Sequence, residues 1–84
     1  MQREQALAAV THAIAPYLGQ TMAGAAVEMH RQKLGIDGSL LTEAQLDELL
    51  QRIGTGLIIF VGREKSEQIV GAARAAVVPK EDAQ

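Results

Sequence analysis

Apolar residues return at steps of three and four near the start of the chain: Leu7, Val10 and Ile14, flanked by Ala6 and Ala13. One narrow apolar stripe of this period predicts a first helix over residues 3–15. Pro16 is expected to end or kink it, because proline lacks an N–H and disfavours helical geometry at Ala15. A second helix is predicted over residues 17–34, with Leu18, Met22, Ala25 and Met29 on one face and Ala23, Val27 and Leu34 widening it. An apolar arc that wide ordinarily touches two neighbours, which makes this helix the expected central element. Gly35 supplies a left-handed stop and Asp37-Gly38 a turn.

Thr42 followed by Gln45 is a capping-box pattern, and it opens a third helix predicted over residues 42–61. Leu46, Leu49, Leu50, Ile53, Leu57, Phe60 and Val61 keep one stripe through Gly54 and Gly56. Ile58 and Ile59 leave that stripe. A short strand over 57–61, bounded by glycines and rich in β-formers, is the competing reading. Helix is preferred, because the helical phase survives both glycines and a single strand would have no partner. A fourth helix is predicted over residues 63–77, with Ile69, Val70, Ala73, Ala76 and Val77 inward and Glu64 and Glu67 near its positive end. Pro79 is expected to stop it, leaving 79–84 as a disordered tail after a single domain over 1–78. No internal repeat stands out.

Composition narrows this picture. The chain has 84 residues, with one Phe, one Tyr, no Trp and eight glycines. A domain this small has little margin of stability, and its alanine-rich layers favour close helix contacts or an oligomer that shares apolar surface. The absence of cysteine excludes disulfides, thiolate metal sites and cysteine nucleophiles. A net charge of −2 gives no general attraction to nucleic acid or anionic lipid. The first residues lack a secretory apolar core, and the run Leu57–Val61 is far too short to span a bilayer. A soluble cytoplasmic protein with no membrane partner is the expectation.

The segment Leu18-Gly19-Gln20-Thr21-Met22-Ala23, preceded by Ala15-Pro16-Tyr17, resembles small all-helical modules of bacterial signalling proteins. Such modules lie C-terminal to serine/threonine kinases and in polarity or pilus regulators. The block from Leu49-Leu50 to Phe60-Val61-Gly62 is similar to their second half, and the likeness spans about three quarters of the chain. Gln20 departs from the pattern, since a proline often follows the glycine there. The resemblance implies a helical regulatory or docking role and supplies no catalytic residues.

Reactive chemistry finds few footholds. His30 lies inside the apolar arc of the second helix and invites reading as a metal ligand, a base or a pH switch. The plainer reading is a histidine at a packing seam, satisfied by one hydrogen bond. No histidine pair has ligand spacing, so neither metal nor cofactor is expected. Gly54-Thr55-Gly56 fits no phosphate loop: Ile59 stands where a dinucleotide fingerprint needs glycine, and no Gly-Lys-Ser/Thr follows. The two glycines are read instead as permitting a bend or a close backbone approach. Glu43, Asp47 and Glu48 suit the helix dipole and solubility better than acid–base catalysis. Ser66, three residues after Arg63, is taken as an ordinary surface serine. Arg52, Arg63, Lys65 and Arg74 make a sparse basic patch without stacking aromatics.

Together these readings predict an all-α bundle of four helices, non-enzymatic and homodimeric. It is expected to act as a protein–protein interaction or regulatory module of a bacterial signalling system. Leu57, Ile58, Ile59, Phe60 and Val61 are the expected interaction surface, with Phe60 and Val61 turned toward the protomer's own core. The protein partner is not identified by any motif, and no nucleic acid is expected. The alternative is a small DNA-binding transcriptional regulator, disfavoured by the long 35–41 connection and the acidic start of the third helix.

Overall fold

In the computed structural model, which describes residues 1–77, the chain forms α1 (Arg3–Leu18), α2 (Gln20–Leu34), α3 (Glu43–Val61) and α4 (Arg63–Val77). The tail expected at 79–84, with its Pro79, lies outside the described residues. So does residue 78 of the expected domain. Thr42 and Gln45 complete the capping box: the Thr42 hydroxyl accepts from the Gln45 N–H and the Gln45 amide oxygen from the Thr42 N–H, both at 3.0 Å. Residues 57–61 are helical, so the strand alternative is overturned. Backbone hydrogen bonding runs through Gly54 and Gly56 because the large residues on either side are held in the core.

Pro16 does not end α1, which continues to Leu18. A proline in the last turn removes only one backbone bond, and its ring is exposed beside exposed His12, where water can satisfy the freed carbonyl. The true corner is Gly19, at φ 87°, whose N–H donates to Ala15 at 2.7 Å. Gly62 repeats this geometry between α3 and α4: φ is 86°, and its N–H donates to Ile58 at 2.9 Å. Glycine is required at both corners because positive φ strains any L side chain. Tyr17 and Leu18 therefore end the first helix, where the pattern placed them at the start of the second.

The two corners reveal a duplication that residue identities hide. α2 runs for 15 residues after its glycine, and α4 is helical from its glycine to Val77, the last described residue. Over the 43 positions separating Gly19 from Gly62, Ala6, Val10, Ile14 and Ala23 correspond to Leu49, Ile53, Leu57 and Ser66, and all eight are buried. The protein is thus two helical hairpins of one design. α1 packs on α2 and α4, α3 packs on α4 and α2, and the α2–α3 seam is much the looser.

α3 buries the most residues, Leu46, Leu49, Leu50, Ile53, Gly54 and Leu57, although every helix packs on two others. The expectation that α2 is central is corrected: α2 buries only Ala23 and Val27. Its apolar arc is wide, but the large fully buried side chains come from α1, α3, α4 and the 36–41 connection. At the α3–α4 seam, Ser66 is buried and its hydroxyl donates to the Gly54 carbonyl at 2.6 Å. A Cβ at Gly54 would lie 2.9 Å from the Val70 Cγ2, so this glycine permits a close approach. Ser66 is therefore a core contact, contrary to its reading as a surface serine.

The connection between hairpins is part of the core. Ile36 and Leu41 are fully buried, and Arg3 and Arg31 both donate to the Ile36 carbonyl, at 3.3 and 3.0 Å. Leu41 donates to the Met1 carbonyl at 2.7 Å and Arg3 to the Ser39 carbonyl at 2.9 Å. These bonds tie residues 36–41 across the start of α1.

Candidate interaction surface and groove

Where α2 and α3 fail to close, an apolar groove of about 300 Å³ opens between them. α2 lines it with Met22, Ala25, Ala26, Met29 and His30; α3 lines it with Ile53, Gly56, Leu57 and Phe60. Leu18 closes the end near the glycine corners. The duplication explains why a groove exists here. On α4, Ile69 and Ala73 are fully buried. Their counterparts on α2, at the same distances from the corner, are Ala26 and His30. A small residue replaces a large one, and a polar ring replaces a methyl group. The first change leaves space and the second resists being sealed in.

The expected interaction residues do not share one environment. Leu57 is buried, Ile58 and Val61 are half-buried, Ile59 is 86% exposed and Phe60 is 69% exposed. Phe60 does not face the core: at the last turn of α3 it passes beyond the loose α2–α3 seam and forms the groove's rim. Across from it, Met22 is 54% and Met29 46% exposed. Both methionines, placed by their spacing on one face of the second helix, line the groove. Gly56 also faces it, with open space around its Cβ position.

His30 lines the groove with its Nδ1 buried and without a hydrogen-bond partner among the described residues. The expected single hydrogen bond is not made at this atom. Burial, reinforced by the positive charges of Lys33 and Arg52, holds the imidazole below its ordinary pKa. By contrast Glu28 lies on the solvent side of α2, where hydrogen bonds from Arg31 and Gln32 hold its carboxyl below the ordinary value.

At the corner end of the bundle, the Lys65 ammonium sits 5.9 Å from the centre of the Tyr17 ring. That contact brings the two glycine corners to the same end, so α2 and α3 are antiparallel. Arg74 pairs with Asp47 on the outer face of the second hairpin, and its counterpart Arg31 pairs with Glu28 and Asp37 on the first. Among the described residues, no cluster of three His, Asp or Glu side chains is placed to hold a metal ion. No helix among them is long and apolar enough to cross a membrane. Sequence comparison finds no matching family model and no matching curated protein, and comparison with solved structures finds no match either.

Proposed function

We propose that the protein is a non-enzymatic interaction module of a regulatory kind that self-associates through the open side of the α2–α3 seam. The observation that carries this reading is the set of bare apolar side chains at that side, Phe60, Met22 and Met29 on the groove, with the exposed Ile59 next to Phe60 on the last turn of α3. Together they present roughly 500 Å² of apolar surface, as large as the patches that monomers keep for function. Pairing two such faces buries about 1,000 Å² in total, the size of a weak, transient association. Methionine suits the role, because its flexible thioether conforms to a partner's surface. The resemblance to bacterial signalling modules points the same way.

Sedimentation velocity over a range of concentrations tests the proposal. The wild type is expected to dimerise, and Ile59→Asp to remain folded by circular dichroism while sedimenting as a monomer. Ile59 is the residue to change rather than Ile58, because Ile59 is far the more exposed of the two. A wild type that stays monomeric at millimolar concentration refutes self-association. So does an Ile59→Asp variant that still dimerises with wild-type affinity.

A further inference from the structure

The groove has a polarity along its length. On α2 the lining residues Ala25 and Met29 belong to a row that continues, outside the groove, to Lys33; on α3 the lining residues Phe60 and Gly56 belong to a row that continues to Arg52. Residues four apart lie above one another on a helix face. Because α2 and α3 are antiparallel, both rows reach a cation at the same end, the end marked by His30. Neither Lys33 nor Arg52 is in a salt bridge among the described residues. Glu48 continues the α3 row one turn further, but it does not come within bonding distance of Arg52. The opposite end, at Leu18 and Met22, is apolar. A nearly all-apolar slot with two unpaired cations beyond its lining at one end, both close enough for their charges to act on His30, is complementary to an anionic amphiphile. Its volume of about 300 Å³ is at the small end of ligand sites and suits a single alkyl chain.

We propose that this groove binds a free medium-chain carboxylate, its alkyl chain along Met22, Met29, Leu57 and Phe60 and its headgroup between Lys33 and Arg52. This goes beyond self-association and does not require it. Each further methylene buried tightens binding about fourfold until the chain outgrows the groove. The two cations give the site its preference for an anion over a cation of equal chain length.

The test is titration of isotope-labelled protein with sodium decanoate below its micelle concentration, followed by amide chemical shifts. Butyrate and decyltrimethylammonium serve as matched probes, and the titrations are run on both wild type and Ile59→Asp. Decanoate is expected to shift resonances of α2 and α3 saturably, with decyltrimethylammonium at least tenfold weaker and butyrate without effect. The exposed double change Lys33→Glu with Arg52→Glu is expected to weaken decanoate at least tenfold and to reverse the preference. Equal affinity for the two decyl probes overturns the proposal, as do shifts centred on α1 and α4, or a charge-reversed variant that keeps its preference. A dimeric wild type with no decanoate binding in either protein defeats this proposal alone. A monomeric wild type that binds decanoate defeats only self-association.

Discussion

Between α1 and α4 the bundle closes over Ile69 and Ala73, both inaccessible to solvent, and opens only further along, at Ala9, Ala76 and Val77; between α2 and α3 the equivalent seam is already open over Ala26 and His30. The two hairpins share their corner geometry and four pairs of buried positions. The difference therefore comes from side-chain volume and polarity at two sites, and not from the backbone plan. A closed seam contributes to stability, whereas an open one leaves apolar surface free for a partner or ligand.

The sharpest break of this comparison lies in the closed seam. Ile69→Ala is expected to cost about 2–5 kcal/mol in urea denaturation, since it removes a fully buried side chain from a well-packed site. Phe60→Ala, on the rim of the open seam, is expected to change stability by less than about 0.5 kcal/mol despite deleting a larger side chain. Comparable losses in the two variants would show that the seams are not energetically distinct.

Two glycines on α3 extend the contrast. Gly54→Ala is expected to destabilise by about 1–3 kcal/mol, because the new methyl meets Val70 at 2.9 Å beside the Ser66 bond. Gly56→Ala, two residues on but facing the groove, is expected to stabilise by up to about 1 kcal/mol through helix propensity alone. Opposite signs in parallel thermal melts support the assignment of faces; equal signs contradict it.

Ala26→Ile copies the closed seam into the open one. Burying part of the added side chain is expected to raise stability by about 1 kcal/mol while abolishing decanoate binding. A destabilised protein that still binds decanoate would mean that Ala26 does not set the groove's volume.

The smallest expected effect is that of pH. His30 is held below its ordinary value by burial and by Lys33 and Arg52, so near and below pH 6.5 the unfolded chain binds more protons than the folded one. Stability should therefore fall as pH drops from 7 toward the folded-state value. His30→Gln should flatten this dependence in denaturation curves taken at several pH values. Glu28 acts in a lower window: its depressed pKa gives a contribution present above its unfolded value and lost at more acidic pH. An unchanged slope between pH 7 and 5 in His30→Gln would place the sensitivity elsewhere.

Local rules made four helices and the capping box of α3 legible in the chain, because periodicity and capping depend on residues a few positions apart. The same rules placed Val10, Ile14, Leu49, Leu50 and Ile53 in the core. They misjudged Pro16, whose cost in a last turn is small, and gave α2 too central a place. The duplication was hidden because equivalent positions conserve burial and not identity, as Ala6 with Leu49 or Ala23 with Ser66. The role of Ile36 and Leu41 was equally hidden, since a connection's burial depends on the arginines and the α1 start that cover it.

What the amino-acid order determined by itself was where the backbone coils and where it turns, since those choices are settled within one or two helical turns. Which apolar faces meet was decided only in three dimensions. Met22, Met29 and Phe60 are as hydrophobic as any core residue and lie on continuous stripes. They stay exposed because the helix opposite each of them presents Ala26, His30 or Gly56 in place of bulk. Burial depends on volume matched across a seam, and that matching exists only after the two hairpins pack.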